Sequence, residues 1–185
     1  QIVALVSKNP KTITRRYKRY TNINVAIKKL PKDTLYVLST PPSSHFHLIM
    51  TILKKHRNVL VEKPLVNNRE QIDKIFKLNL GKQNFFYEMF MYNYTMCFLK
   101  TINYCKENFD NIEKIEFNFL LPSYPQNTFR DSNLLEDSCL YDVGSYIFNY
   151  CINLGNKIKN LKLLNYSFNK KKLEKISFFF EVSGL

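Results

Sequence analysis

Short apolar runs alternate with amphipathic stretches along the first half of the chain. The runs occupy residues 1–7, 35–39, 58–62 and 84–89. Continuous apolar runs of this length are typical of strands buried on both faces of a parallel sheet. After the second run, Phe46, Ile49 and Leu53 recur at helical spacing and predict a helix with one face packed on the sheet. The alternation of strands and helices predicts an α/β chain with a doubly wound parallel sheet.

Polar residues mark where the helices of this half begin. A basic helix is predicted over residues 11–20. Ser43 or Ser44 can cap the second helix. Asn67 with Glu70 three residues later resembles a capping box for a third helix, which would run through Leu80.

The pattern changes after Tyr94. Helices are predicted over about 95–107 and 138–154, and strands over 113–121, 161–168 and 175–183. Apolar residues alternate with polar ones in the first of these strands, as expected of a half-exposed antiparallel sheet. We therefore expect two partial domains, residues 1–94 with the parallel sheet and residues 95–185 with an α+β fold and an open, mainly antiparallel sheet.

Composition narrows the class of protein. The net charge is +13, from 28 Lys and Arg against 15 Asp and Glu. This charge would attract phosphates. However, the basic residues are spread along the chain, and no nucleic-acid-binding motif is found. Four cysteines without a CxxC pair indicate free thiols. No apolar run approaches the roughly 18 residues of a membrane span. We expect a cytoplasmic protein without nucleic-acid or membrane partners. Both ends lie in or beside apolar runs, which suggests an internal fragment.

Two predicted strands end in polar residues. Ser39, Thr40, Pro41 and Pro42 end one strand, and Glu62 and Lys63 end the next. Ligands of open parallel sheets bind beyond the carboxyl ends of the strands, so we expect these residues to lie side by side at a binding edge.

Four segments carry a resemblance to a known family. They are STPPSSH (39–45), VLVEKPL (59–65), EMFMYNY (88–94) and LYDVGSY (140–146). In this order and spacing they resemble the Gfo/Idh/MocA oxidoreductases, the glucose–fructose oxidoreductase and inositol dehydrogenase type. The resemblance implies a partial Rossmann-type domain, a nicotinamide cofactor, and hydride exchange with a secondary alcohol or ketone of a sugar, sugar derivative, cyclitol or diol. It also implies a homo-oligomer formed through the C-terminal sheet.

The resemblance assigns roles to several residues. Lys63 of Glu-Lys-Pro would lie in the catalytic centre, next to the nicotinamide and the substrate hydroxyl. Glu62 could orient Lys63 or hydrogen-bond near the cofactor's carboxamide. Pro64 would fix the turn beside the cofactor, with a cis Lys63–Pro64 bond possible. Tyr146 would donate or accept the proton. Asp142, four residues earlier on the same predicted helix, would bind or orient substrate.

Other matched positions would contact cofactor or substrate. Thr40, Pro41, Pro42 and His45 resemble a turn that packs against the cofactor. Tyr92, Asn93 and Arg130 would stand near the substrate, although the family often has Arg where this chain has Asn93. His45 and His47 do not indicate a metal site, because residues two apart on a helix point to different sides.

The sequence gives two further indications about the cofactor, one on the choice between NAD and NADP and one on the phosphate-binding loop. Ser7 and Lys8 follow the first apolar run, and if this is the second strand of a dinucleotide-binding fold, a cation without an acid favours NADP over NAD. An ordinary polar turn is the alternative. No G-x-G-x-x-G motif occurs among the four glycines, so the chain as given should bind a dinucleotide poorly. A non-catalytic binding or scaffold protein is the second hypothesis, and a basic nucleic-acid-binding protein the third.

Overall fold

A computed structural model describes residues 2–9, 17–79, 84–119, 138–155, 157–169 and 172–183. The chain divides into two compact units. The first comprises residues 1–40, 44–61 and 68–87, and the second comprises residues 41–43, 62–67 and 88–185. The boundary predicted after residue 94 stays a prediction. No helix among the described residues is long and apolar enough to cross a membrane.

Parallel strands and the helices that connect them make up the first unit. In chain order they are β1 (Ala4–Val6), β2 (Lys18–Tyr20), α1 (Ile23–Lys29), β3 (Leu35–Leu38), α2 (His45–Leu53), β4 (Asn58–Glu62), α3 (Arg69–Asn79) and β5 (Phe86–Met89). The last residue of β4, Glu62, and the last two residues of β5, Glu88 and Met89, belong to the second unit. The core is apolar, with Ile49, Ile52 and Leu53 of α2 and Val59 and Val61 of β4 almost completely buried.

The described strands of this unit form two sheets. Strand β1 pairs in parallel with β2, and a separate sheet has the order β3-β4-β5, in which β3 and β4 are parallel. Leu38 lies opposite Val61, so the carboxyl ends of β3 and β4 are adjacent. The predicted α/β class, with a Rossmann-type parallel sheet followed by an antiparallel one, is confirmed.

The beginning of the chain differs from its prediction in three ways. Lys18–Tyr20 is a strand and not the end of a helix, while residues 11–16 of that predicted helix lie outside the described residues. Helix α1, capped by the Asn22 side chain, was not predicted. Strand β1 is not buried on both faces, because Val6 is exposed among the described residues.

Two caps also differ from the predictions. Asn68, not Asn67, accepts a hydrogen bond from the Gln71 amide at 3.0 Å at the start of α3. Ser44 precedes α2 but makes no side-chain cap bond. Its hydroxyl instead donates to the Thr40 hydroxyl at 2.7 Å, because the preceding turn brings the two side chains together.

In its described part, the second unit contains three α-helices and two paired strands. They are α4 (Met96–Glu107), α5 (Cys139–Asp142), α6 (Gly144–Leu154), β6 (Lys157–Asn169) and β7 (Lys172–Ser183). Phe98, Ile102 and Cys105 of α4 pack with Leu154 of α6. The strands β6 and β7 are antiparallel, and Phe148 of α6 stacks on Phe178 of β7 with ring centroids 5.2 Å apart.

The strand predicted over residues 113–121 is absent from the described part of this segment. Residues 112–119 have no strand assignment, and 120–121 lie outside the described residues. The alternation of Ile115, Phe117 and Phe119 has a different cause. Phe117 packs on Tyr150 at 5.4 Å and Phe119 stacks on Tyr146 at 5.9 Å, while Ile115 is exposed. The aromatic side chains anchor an irregular segment to α6.

Candidate active site

Lys63 is the centre of the candidate site. It follows Glu62, the last residue of β4, and its peptide bond to Pro64 is cis. The Lys63 ammonium donates a hydrogen bond to the Asp142 carboxylate at 2.8 Å and another to the Asp142 carbonyl oxygen. Both side chains are only 9% exposed. An ammonium so placed has a fixed position, because two acceptors from one residue hold it.

The break between α5 and α6 puts Asp142 and Tyr146 around this ammonium. Asp142 ends α5 and Gly144 begins α6, so the two residues are not on one continuous helix as predicted. The Ser145 hydroxyl donates to the Asp142 carbonyl oxygen at 3.2 Å. A Cβ atom on Gly144 would meet Leu140 of α5 at 3.4 Å. This is an ordinary contact with the end of a flexible side chain, so the packing of α5 on α6 does not depend on a glycine at this position.

Tyr146 lies directly beside Lys63. The ammonium is 4.4 Å from the centroid of the Tyr146 ring, a cation–π distance. Three aromatic rings surround the tyrosine: Tyr92 at 4.9 Å, Phe119 at 5.9 Å and Phe90 at 6.1 Å. These contacts fix the ring, and they leave Tyr92 itself 42% exposed.

Glu88 supports the segment that carries Lys63, and the sequence interpretation gave it no role. Its carboxylate accepts a hydrogen bond from the Leu65 amide at 2.6 Å. Burial raises the pKa of Glu88, while the Leu65 bond and the charge of Lys63 act in the opposite direction. An acid inside an otherwise apolar predicted strand was the signal that could have identified it.

The predicted substrate residues are only partly described. Asn93 pairs with Asn149 of α6, whose amide donates to the Asn93 side-chain oxygen at 2.5 Å. This pair anchors the segment that contains Tyr92 to α6. Arg130 lies outside the described residues. The substrate roles of Tyr92 and Asn93 stay predictions.

Internal bonds hold the turn after β3. His45 is buried, and its Nε2 donates to the Thr40 carbonyl oxygen at 2.8 Å. Pro42 is buried, whereas Ser39, Thr40 and Pro41 are exposed. His45 thus stabilises the turn, and a cofactor contact by these residues stays a prediction, as does their proximity to Glu62 and Lys63.

The end of β1 is a polar turn with an exposed cation. The Ser7 hydroxyl accepts from the Asn9 amide at 3.2 Å, and the Ser7 amide donates to Tyr20 of β2 at 3.0 Å. Lys8 between them is exposed. Glu62, predicted to orient Lys63, has no hydrogen bond or ion pair within the described part of the chain, where Asp142 takes that role.

A family model covers just under half of the chain. It describes an oxidoreductase family with an NAD-binding Rossmann fold and matches residues 1–89. These residues belong to the Gfo/Idh/MocA family. No curated protein sequence matches the chain.

Solved structures share the fold of the family along most of the chain. GenD2 from gentamicin A biosynthesis, in complex with NAD, covers 99% of this chain at 14% identity with a TM-score of 0.80. KijD10, a 3-ketoreductase from Actinomadura kijaniata in complex with NADP and TDP-benzene, covers 89% at 21% identity with a TM-score of 0.69. The chain spans 55% of the first and 51% of the second, about half of each.

Proposed function

We propose that the protein is a nicotinamide-dependent oxidoreductase that exchanges a hydride with a secondary alcohol or ketone of a sugar, sugar derivative, cyclitol or diol. One observation carries the proposal. The Lys63 ammonium, the Asp142 carboxylate and the Tyr146 ring converge from two segments that are 79 positions apart in sequence. A cation held next to a phenol is suited to moving a proton at an alcohol oxygen.

The side chains divide the proton chemistry between them. The nicotinamide, when bound, supplies the hydride acceptor or donor. Lys63 hydrogen-bonds the substrate oxygen and stabilises negative charge that develops there. Tyr146 in its phenolate form, which the adjacent Lys63 cation favours, accepts the hydroxyl proton during oxidation, and the resulting phenol donates that proton back during reduction. Asp142 holds Lys63 in place, and Glu88 holds the segment that follows it.

The strand arrangement fits a dinucleotide. In the doubly wound order 3-2-1-4-5-6, the strand before the glycine-rich loop lies between the second and the fourth strand. If β1 is the second strand of such a sheet and β3 is the fourth, each should have an unpaired edge on the side where the first strand would lie. Each does among the described strands, because β1 pairs only with β2 and β3 pairs only with β4. We infer that a strand with a phosphate-binding loop pairs there.

The names of structural neighbours support a sugar-type substrate. KijD10 is a 3-ketoreductase bound to TDP-benzene, and WlbA from Bordetella pertussis, a neighbour with a TM-score of 0.51, is a dehydrogenase in complex with NADH and UDP-GlcNAcA. We propose a carbohydrate or related polyol on this basis together with the lysine and tyrosine.

Turnover by the protein purified from its natural source tests the proposal. NAD⁺ and NADP⁺ reduction is followed by nicotinamide absorbance with a panel of sugars, cyclitols and diols. Lys63→Met and Tyr146→Phe should each lower kcat by about 10²-fold or more, the usual effect of losing a proton-transfer group. Tyr104→Phe, a change on the exposed surface of α4, is the matched control and should leave kcat unchanged.

Two results would contradict the proposal. Unchanged turnover in Tyr146→Phe would remove the tyrosine from the chemistry. Sugar binding without any nicotinamide turnover would favour the non-catalytic binding protein.

We further propose that Lys8 selects NADP by contacting its 2′-phosphate. A charge-assisted bond to phosphate contributes about 1.5–3 kcal/mol, so Lys8→Ala should raise the KM for NADP⁺ by about tenfold or more and leave that for NAD⁺ unchanged. Lys18→Ala is the control, because Lys18 is exposed at the amino end of the same two strands. Equal changes for both cofactors would refute the preference.

A further inference from the structure

A basic cavity lies in the first unit, at the amino end of β4. It has a volume of about 260 Å³ and is lined by Asn24, Ile27, Lys28, Lys55 and Arg57. The first three belong to α1, and Lys55 and Arg57 lie in the connection from α2 to β4. The proposed nicotinamide site lies beyond the carboxyl ends of the strands, so this cavity is at the other end of β4.

Arg57 is the buried member of this set. The residue is 8% exposed, and its guanidinium donates to the Ile27 carbonyl oxygen at 2.9 Å and to the Pro31 carbonyl oxygen at 3.1 Å. These carbonyl oxygens, at and just beyond the carboxyl end of α1, fix the side chain and offset its charge only in part. No carboxylate forms an ion pair with Arg57 within the described part of the chain. Buried charges are normally paired, because removal from water is costly.

Arg57 also retains an unused donor. Its Nε is buried and has no hydrogen-bond partner among the described residues. The hydroxyl of Tyr36 is a second buried atom of this kind. Burial raises the pKa of Tyr36, and the nearby charge of Arg57 acts to lower it. Two buried donors without acceptors, within electrostatic reach of each other, indicate a missing acceptor.

Lys28 and Lys55 add two cations at the cavity. Both are exposed, and neither has an ion-pair partner among the residues that the structure describes. Three positive charges thus line a small cavity without a balancing negative charge in the same set of residues. Their combined field favours an anion with more than one charge.

We propose that this cavity binds the phosphate group of a small anion, either free phosphate or a phosphomonoester. The volume lies just below the roughly 300–1,000 Å³ of pockets for larger ligands, which favours a small molecule. A phosphate oxygen accepts from the guanidinium of Arg57, and Lys28 and Lys55 balance the remaining charge.

Titration with inorganic phosphate at constant ionic strength tests this site in the full-length protein. Binding is followed by NMR through the Arg57 Nε–H resonance. Arg57 itself stays unchanged, since it holds the end of α1. The variant Lys28→Gln/Lys55→Gln should raise the dissociation constant about tenfold or more. The control Lys29→Gln/Lys54→Gln removes the same charge from the neighbouring exposed lysines and should change it less than about twofold.

A second titration with glycerol phosphate distinguishes the source of the phosphate group. Tighter binding of the ester assigns the site to a phosphorylated metabolite, and tighter binding of inorganic phosphate assigns it to the free ion. Equal weakening by both double variants would overturn the proposal, because it would show diffuse attraction only. An Arg57 Nε–H resonance that does not move at saturation would also overturn it.

Discussion

Lys63 and Asp142 form an ion pair that is largely removed from water. Transfer of two charges from water costs several kcal/mol for each ion, and the attraction between them roughly offsets that cost. The pair therefore adds little net stability, although removal of one partner would leave a buried charge at a cost of about 3–5 kcal/mol. What the pair provides is position, since the ammonium is fixed against the Tyr146 ring.

Glu88 makes the free energy of unfolding depend on pH in an unusual direction. Burial raises the pKa of Glu88 in the folded protein above its ordinary value of 4.5. The folded state therefore holds the proton more tightly than the unfolded state. The contribution to stability is complete below the unfolded pKa and is lost as the pH rises through the folded pKa.

Substitution of Glu88 tests this sign. Glu88→Gln keeps an oxygen acceptor for the Leu65 amide but cannot ionise. Relative to the native chain, this variant should thus become more stable, with a larger free energy of unfolding, as the pH rises from about 4 to 7. Urea unfolding at several pH values measures the difference.

Glu70 provides a control with the opposite sign. Its hydrogen bond and charge interaction with Lys74 lower the pKa of this exposed carboxylate. Its contribution is present above the unfolded pKa and lost on acidification, so Glu70→Gln should become relatively less stable as the pH rises. Parallel trends in the two variants would contradict the assignment to Glu88.

At the scale of single elements, the strength of the local signal decided which predictions held. Helix α4 and strands β3 and β4 were predicted within about a residue, because their apolar periodicity was strong. Strand β2 was not predicted, since Lys18 and Arg19 are polar and it exists through its pairing with β1. The irregular segment with Phe117 also resembled a strand, because alternating aromatics can pack on a helix as well as lie in a sheet.

Helix α4 offers a test of one such local signal. The Thr95 hydroxyl accepts from the Phe98 amide at 3.3 Å and caps the helix. Thr95→Ala should cost about 1 kcal/mol of unfolding free energy. Thr101→Ala, the same change at an exposed position inside α4, should be neutral or stabilising, because Ala has the higher helix propensity. Equal destabilisation of both variants in urea unfolding would argue against the cap.

The candidate site was predictable in its residues but not in its contacts. Motif resemblance brought forward Lys63, Asp142 and Tyr146, which lie together. It could not show that Asp142 binds Lys63 through both its carboxylate and its carbonyl oxygen, since this depends on the break between α5 and α6. Nor could it show the role of Glu88, because the bond to Leu65 joins segments 23 residues apart.

For the whole molecule, the C-terminal strands β6 and β7 present apolar side chains that are exposed among the described residues. Six large apolar residues of β6 and β7 are between 47% and 65% exposed: Leu161, Leu163, Leu164, Tyr166, Phe168 and Phe179. Exposed apolar patches of this kind mark interaction sites. We propose that a second copy of the protein covers this surface.

Sedimentation velocity measures that association. Leu163→Asp places a charge in the apolar surface and should weaken self-association by about tenfold or more. Asn165→Asp introduces the same charge at an exposed polar position of β6 and should have little effect. A monomeric native protein at high concentration would contradict the proposed homo-oligomer.

The second compact unit is discontinuous in sequence, and this has a consequence for the exchange of parts between related proteins. Residues 62–67, with Lys63, belong to it, although they lie inside the stretch matched by the family model. A chimera joined after residue 89 would inherit its lysine from one parent and its aspartate and tyrosine from the other. A functional chimera with this junction would therefore require two parents in which the lysine makes the same contact. If residues 62–67 were transferred as well, the lysine would come from the same parent as the rest of its unit.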